Sequence, residues 1–164
     1  MRTISATLDA VVTDDLVDAN DHLSLPHYVR AGARAVWTRK ESLGLEEVWS
    51  RGLSFFITEQ HTTYSGELLL GERFTVHPRF LHRSARSLHT MTYVVNAARD
   101  QLACSIESVS VFVSRETRDS VAMPAALAES LDAAIRHDHG LPGTVAECST
   151  LWRPRGGTPP GSDR

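Results

Sequence analysis

The chain has 164 residues, of which 41% are hydrophobic and 23% charged, the size and balance of a single globular domain. Its formal net charge of -3 argues against a nucleic-acid partner, since such proteins normally carry a basic surplus that neutralises phosphates. No apolar run approaches the roughly 20 residues that span a bilayer, and the start MRTISATLDA lacks a secretory apolar stretch, so we expect a cytoplasmic protein without a membrane partner.

The first predicted elements are a strand and a long helix, joined by an acidic loop. Residues 4–12 alternate β-branched and apolar side chains as a strand does, and the polar stretch TDDLVDANDHLS follows. From Pro26 to about Leu43 the pattern is helical, with Ser24 placed as N-cap and Gly44 as the stop. One half of the helical wheel is apolar and predicts the buried face: Tyr28, Val29, Gly32, Ala33, Val36, Trp37 and Leu43.

The next part of the chain predicts a meander of four strands, at residues 53–64, 73–82, 86–97 and 101–114. With the first strand and the helix, the order is β, α, β, β, β, β. We interpret this order as an α+β fold in which an antiparallel β-sheet wraps around the long central helix.

A second, shorter helix is predicted over residues 123–137, because Leu127, Leu131 and Ile135 recur at helical spacing. The domain is therefore expected to span 1–137. Residues 138–164 are rich in Gly, Pro and Ser, and we expect a flexible tail because such a composition buries too little surface to offset its ordering entropy.

The cysteines and histidines indicate neither a metal site nor a disulfide framework. Cys104 and Cys148 lie far apart, and neither belongs to a CxxC pair. The histidine spacings match no zinc signature. We expect free thiols, no metal and no cofactor.

The loop before the long helix carries the most informative motif, Asp18-Ala19-Asn20-Asp21-His22-Leu23-Ser24-Leu25-Pro26-His27-Tyr28. It resembles the loop-to-helix motif of hotdog-fold acyl-CoA thioesterases of the 4-hydroxybenzoyl-CoA thioesterase type. Asp18, His22 and Tyr28 match that motif, whereas Asp21 stands in place of its usual glycine and Ser24 in place of its usual asparagine. The resemblance implies a hotdog fold, an acyl-CoA substrate, Asp18 as catalytic carboxylate, and His22 and Tyr28 beside the substrate.

The chemistry that this motif implies needs no metal and no catalytic triad. A helix start presents unpaired backbone N–H groups and the positive end of the helix dipole, which suit a developing oxyanion. Because Pro26 has no N–H, the amides of Leu25 and His27 are the nearest backbone donors, and the resemblance places the donor to the thioester carbonyl at Leu25. Asp18 is either a nucleophile or the general base for a water, and the alternative is a carboxylate that merely orders the loop.

The third predicted element resembles the central strand of the thioesterases of carnitine and betaine catabolism. An aromatic pair precedes Glu59 and His61, and Tyr64 follows. That resemblance suggests betainyl-CoA as the substrate, with Glu59 orienting the attacking water or facing a quaternary ammonium, and with His61 and Tyr64 beside the substrate. Simple alternation places Glu59 and His61 on the same strand face as Phe55 and Ile57. The alternative is an ion pair on a half-solvated face.

A basic stretch around the third and fourth strands supplies candidates for the CoA phosphates. Arginine forks match phosphate oxygens, so Arg79, Arg83 and Arg86 are candidate ligands of the nucleotide end of CoA. A solvated basic hairpin is an equally good interpretation.

The leading functional hypothesis is hydrolysis of a small or medium acyl-CoA. The alternatives are a non-catalytic hotdog module that binds acyl-CoA or acyl carrier protein, and a hotdog hydratase. The resemblance also implies a homodimer or a tetramer of dimers, since a sheet of five strands around one helix leaves an unpaired edge that a two-fold partner can close.

Overall fold

The computed structural model describes residues 5–141. Elements follow one another along the chain as β1 (Leu8–Val11), a short 3-10 turn (Asp14–Leu16), α1 (Leu25–Glu41), α2 (Leu45–Ser50), β2 (Leu53–Tyr64), β3 (Arg73–Arg83), β4 (Ser87–Asn96), β5 (Gln101–Ser114) and α3 (Ala125–His139). Within this range no helix is long and apolar enough to cross a membrane. Helix α3 continues to His139, past the predicted domain end at 137. Of the predicted tail, 138–164, the part after residue 141 lies outside the described residues.

The five strands form one antiparallel sheet in the order β1-β3-β4-β5-β2. Helix α1 packs on the concave face of this sheet, over β1, β3, β4 and β5. The predicted α+β architecture, a sheet wrapped around one long helix, is therefore confirmed. Strand β2 is an edge of the sheet and lies beside α1 with a groove between them.

Helix α1 approaches the sheet closely because its buried face carries small residues. Ala35 is fully buried, and a Cβ added to Gly32 would meet Ile106 Cδ1 at 2.7 Å. A larger residue at position 32 would require the buried Ile106 side chain to shift. Ser24 stands at the N-cap as predicted, but its side chain makes no capping hydrogen bond.

Helix α2 was missed because the sequence indicates only a stop at Gly44. Gly44 has φ of 93°, which glycine adopts at little cost, and a six-residue helix starts immediately after it. Leu45 and Val48 of α2 pack into a buried cluster with sheet and α3 side chains: Phe55, Phe80, Leu88, Phe112, Met123, Leu127 and Leu131. α2 and α3 thus close the end of the sheet that lies beyond the C-terminus of α1.

A buried carboxylate fixes the C-terminal end of α3 to the rest of the domain. Asp138 is 1% exposed, and its Oδ1 accepts from Arg39 of α1 at 2.6 Å. Its Oδ2 accepts from the backbone amide of Phe80 at 2.7 Å. The guanidinium also stacks on the Phe80 ring, 4.5 Å from its centroid. Such a pair is costly to break, since removing one partner leaves a buried charge uncompensated.

Cys104 is a free, fully buried thiol of β5, as predicted for this cysteine, whereas Cys148 lies outside the described residues. Burial raises the pKa of Cys104 to about 12, so the reactive thiolate is almost absent at neutral pH.

We expect Cys104 to react with a chromogenic aromatic disulfide at least about 100-fold more slowly in the native protein than in urea. A Cys148→Ser variant isolates this signal, and fast native labelling of that variant would contradict the expected burial.

Candidate functional site

The loop that precedes α1 is a compact turn closed by backbone hydrogen bonds. Val17 and Leu23 form an antiparallel bridge, and the Asp18 amide donates to the His22 carbonyl at 3.0 Å. Asp21 has φ of 58°, in the left-handed region, and aspartate is one of the few residues besides glycine that adopts it readily. The substitution of the motif's glycine by Asp21 is thus compatible with the turn.

Asp18 is held toward the start of α1 by this turn. Its Oδ1 accepts from the amide of Asn20 at 2.8 Å. The same oxygen lies 3.2 Å from His22 Nδ1, close enough for an ion pair but not aligned as a hydrogen bond. The Asp18 side chain is 33% exposed, so solvent reaches it. The carboxylate is fixed in place and accessible.

The first turn of α1 is open at its start. The His27 amide donates to the Ser24 carbonyl at 3.0 Å, whereas the amide of Leu25 has no acceptor within residues 5–141. Leu25 is 57% exposed. Since Ser24 does not cap and Pro26 has no N–H, the Leu25 amide is a free donor at the positive end of the helix dipole.

A cleft of about 310 Å³ lies at this helix start, and we refer to it as the helix-start cleft. Its walls are His22, Leu23, Leu25, Tyr28, Tyr64, Ser65, Gly66 and Glu67. Four of the residues predicted from the sequence therefore meet in one place: His22, Leu25, Tyr28 and Tyr64. The segment 65–67 was missed because it reads as a turn between two strands.

Two tyrosines form one wall of the helix-start cleft. The rings of Tyr28 and Tyr64 meet edge to face, with centroids 5.5 Å apart. Burial raises the pKa of Tyr28 to about 12, and burial also raises the pKa of Tyr64. Both phenols therefore keep their protons at neutral pH and can act as hydrogen-bond donors.

A second opening, the lysine cavity, continues along the groove between α1 and β2 and measures about 130 Å³. Its apolar lining includes Val36, Trp37, Phe55 and Ile57, and its one ionisable lining residue is Lys40. Lys40 was missed because a charged residue is not expected on a buried helix face. Its position four residues after Val36 could have indicated burial, because residues i and i+4 of a helix share a face.

Strand β2 contains a bulge that reverses the faces of its second half. Phe55 and Ile57 pair with Phe112 and Ser110, whereas Glu59 pairs with Val109, one residue out of step. The expectation that Glu59 and His61 share a face with Phe55 and Ile57 is therefore wrong. Both are exposed, and neither lines the helix-start cleft or the lysine cavity.

Two of the three arginines predicted to bind CoA phosphates have partners within the domain. Arg79 is 4% exposed and donates to the backbone carbonyl of Asp138. Arg83 forms a two-pronged contact with Asp132, with one N–H···O distance of 2.6 Å. Arg86 is exposed, and its guanidinium makes two long contacts to Ser120, 3.4 Å to the carbonyl and 3.5 Å to Oγ. This geometry favours Arg86 over the other two as a phosphate ligand, a role that stays a prediction.

Strands β4 and β5 contribute a buried pair of ionisable side chains, His89 and Glu107. His89 Nε2 lies 2.7 Å from Glu107 Oε1, and both side chains are at most 2% exposed. The pair lies on the opposite side of the sheet from α1, because His89 aligns with Val109 on the same face as the exposed Glu59. It is therefore separate from the helix-start cleft.

Residues 11–131 match the profile of the thioesterase-like superfamily. The chain belongs to this superfamily. Its fold is the hotdog fold that the sequence predicted. No protein with a curated description matches it.

Several solved structures resemble the fold of the chain over most of its length. The Staphylococcus aureus protein SAV2348, solved in complex with CoA, has 23% identity and a TM-score of 0.79, covering 92% of this chain and 95% of its own. A thioesterase from Thermus thermophilus, complexed with coenzyme A and zinc, has 17% identity and a TM-score of 0.71, covering 83% and 98%. The Synechocystis 1,4-dihydroxy-2-naphthoyl-CoA thioesterase Slr0204 has 15% identity and a TM-score of 0.69, covering 77% and 95%.

The arrangement suits attack on a polarised carbonyl. A free amide at a helix start and two neutral phenols line one cleft, and the solvent-accessible Asp18 carboxylate, which is not itself a lining residue, lies 3.2 Å from His22 of the cleft wall. Within residues 5–141 no three His, Cys, Asp or Glu side chains are grouped so as to hold a metal ion.

Proposed function

We propose that this thioesterase-like protein hydrolyses an acyl-CoA to the free acid and CoA. The observation that carries the proposal is the placement of the Asp18 carboxylate, through His22, beside the uncapped start of α1 and its free Leu25 amide. The relatives that bind CoA or hydrolyse aromatic acyl-CoAs support the substrate class.

The mechanism follows from these two groups. The thioester oxygen accepts from the Leu25 amide, so the negative charge of the tetrahedral intermediate develops at the positive end of the helix dipole. Asp18 attacks the carbonyl carbon or removes a proton from the attacking water. The carbon–sulfur bond then breaks, CoA leaves as a thiolate and takes up a proton, and water supplies the second oxygen of the acid.

A cationic acyl group such as betainyl is not part of the proposal. Its recognition was attributed to Glu59, and this residue lies on the face of β2 that is turned away from the groove. The charge that does line the groove is the ammonium of Lys40, which repels a quaternary ammonium.

Purified protein offered a panel of aliphatic and aromatic acyl-CoAs, with thiol release followed by a chromogenic disulfide, tests the proposed function. We expect turnover of at least one thioester at a rate proportional to enzyme concentration. If no thioester is cleaved while CoA binds in calorimetry, the non-catalytic acyl-CoA-binding module replaces the enzyme. Addition of water across an enoyl-CoA double bond without thiol release would instead support the hydratase.

We further propose that two chains associate through the free edge of β2, so that each site lies near the subunit boundary. The Ser65 amide donates to the Ala103 carbonyl of β5 at 2.8 Å. By strand alternation the amide of Thr63 also points to β5, whereas the amides of Thr62 and Tyr64 point outward. The outward row is available to a partner strand.

A proline at position 62 is therefore expected to convert the dimer to a monomer. Thr62→Pro removes an outward N–H without breaking a bond to β5, and sedimentation equilibrium is expected to report half the wild-type mass. Thr62→Val retains the amide and should keep the wild-type mass. A monomeric wild-type protein, or a dimeric Thr62→Pro variant with a native circular dichroism spectrum, would remove β2 from the interface.

A further inference from the structure

Lys40 is the single lysine of the chain, and it is buried. The chain also has sixteen arginines, and its one lysine ammonium lies in the interior. Lys40 is 6% exposed, and its Nζ lies 4.1 Å from the centroid of the Phe55 ring. Within residues 5–141 its one hydrogen bond goes to Ser110 Oγ at 3.5 Å, the weak end of the range.

The ammonium has no carboxylate partner within residues 5–141. An ammonium group has three donors, and at Lys40 one weak bond and one aromatic face account for its contacts. A buried charge normally requires a pairing group. The lysine cavity into which Lys40 projects can hold that group.

The cavity wall opposite α1 adds hydroxyl groups. Thr90, Ser108 and Ser110 line it from β4 and β5, and all three are at most 9% exposed. None of the lining residues is acidic. The surface around Lys40 thus offers hydrogen-bond donors and one positive charge, which suits an anion with two oxygens.

The lysine cavity lies between the same two elements, α1 and β2, as the helix-start cleft. α1 lines the cleft with Leu25 and Tyr28, and lines the cavity with Gly32, Val36 and Lys40. β2 runs in the opposite direction, with Tyr64 at the cleft and Gln60, Ile57 and Phe55 at the cavity. At 1.5 Å per residue, Gly32 is about 10 Å and the Lys40 backbone about 22 Å from the helix start.

We propose that the lysine cavity binds the far end of an acyl group that carries a terminal carboxylate. The inference rests on the proposed function and names the substrate class of the same site. The thioester carbonyl lies at the start of α1, the methylene chain follows the apolar groove past Gly32 and Ile57, and the carboxylate accepts from Lys40 and the neighbouring hydroxyls.

The charge state of Lys40 agrees with this assignment. Burial lowers the pKa of Lys40 from its ordinary value of 10.5 to about 7, because the charged form loses its water. A carboxylate beside the ammonium restores the charged form. Binding of such a ligand therefore takes up protons at Lys40 near neutral pH.

Matched pairs of thioesters test the proposal: suberyl-CoA against octanoyl-CoA, and dodecanedioyl-CoA against lauroyl-CoA. For the wild type, we expect a higher kcat/KM for the carboxylate-bearing member in at least one pair. In Lys40→Met, which keeps the side-chain length, the ratio of the two kcat/KM values is expected to fall about 10- to 100-fold, the value of a buried charge-assisted hydrogen bond. Arg34→Met, an exposed charge removed from the same helix, should keep the wild-type ratio.

A preference for the methyl-ended member in both pairs would overturn the proposal, and so would a ratio that Lys40→Met leaves unaltered. A binding readout separates this failure from the failure of the proposed function. Protein labelled with nitrogen-15 lysine gives a single side-chain Nζ resonance, because Lys40 is the single lysine.

The lysine resonance reports on the cavity even if no thioester is cleaved. A CoA thioether with a carboxyalkyl chain, which cannot be hydrolysed, is expected to raise the pKa read from this resonance by at least about one unit. The alkyl thioether of equal length should lower this pKa or leave it unchanged. Absence of hydrolysis with a carboxylate-specific shift would reject the enzyme and keep the subsite, whereas equal responses to both thioethers would reject the subsite.

Discussion

Asp18→Asn is expected to lower kcat for thioester hydrolysis by about 1,000-fold, with a much smaller change in KM. Asparagine has nearly the same shape as aspartate, and its side-chain oxygen can still accept from the Asn20 amide as Asp18 does at 2.8 Å. It lacks the negative charge that attacks a carbonyl or accepts a proton from water. Loop geometry is retained, so the loss reports on chemistry rather than on folding.

Asp14→Asn is the matched control, because Asp14 is an exposed aspartate of the same loop and, unlike Asp18, does not pair with His22 of the cleft wall. It should retain wild-type kcat and KM. Asp18→Asn activity within a few fold of wild type, in a protein with an unaltered unfolding transition, would remove Asp18 from the mechanism and leave it the role of ordering the loop.

The nucleophilic and general-base routes differ in where water oxygen goes. On the covalent route Asp18 and the acyl group form an anhydride, and water that attacks the aspartyl carbonyl leaves its oxygen in the side chain. After many turnovers in water enriched in heavy oxygen, mass spectrometry of the peptide that contains Asp18 is expected to show the label if the covalent route operates. The general-base route delivers the label to the product acid and leaves the peptide unlabelled.

The helix start was predictable because its signals are local. Pro26 and Gly44 mark the two ends of the helix, and the motif from Asp18 to Tyr28 is a continuous stretch of 11 residues. His22, Leu25 and Tyr28 lie within seven residues of one another, so local geometry brings them together, and the bridge from His22 to Leu69 then holds the loop against a distant segment. The contribution of Tyr64 depended on strand pairing, and the predicted bounds of β2 were correct.

The faces of β2 were not predictable, because a bulge leaves no mark in the residue pattern around Thr58. One extra residue moves every later side chain to the opposite face, so Gln60 points into the groove in place of Glu59. The partners of Arg79 and Arg83 within the domain were not predictable for a related reason. Their partners, Asp138 and Asp132, lie 59 and 49 residues away in α3 and become neighbours only in the folded chain.

Lys40 is expected to make native stability depend on pH, and Lys40→Met is expected to raise the free energy of unfolding at pH 6 by about 3–5 kcal/mol. The ordinary lysine pKa of 10.5 applies to the unfolded chain, and burial lowers it to about 7 in the folded chain. At pH 6 both states hold the proton, and the folded state bears the full cost of burying the ammonium against Phe55. Methionine fills similar volume without a charge.

The sign of the pH dependence follows from proton counting. Between pH 7 and 10.5 the unfolded chain holds a proton at Lys40 that the folded chain has released, so wild-type stability rises with pH in this window. The difference in the free energy of unfolding between Lys40→Met and the wild type should therefore shrink by about 1.4 kcal/mol per pH unit. Urea unfolding at pH 6, 7, 8 and 9 measures this slope, with Arg34→Met as an exposed-charge control that should show none. A stability difference that stays constant from pH 6 to 9 would mean that Lys40 keeps its proton in the folded protein, and therefore that water or a counter-charge reaches the cavity.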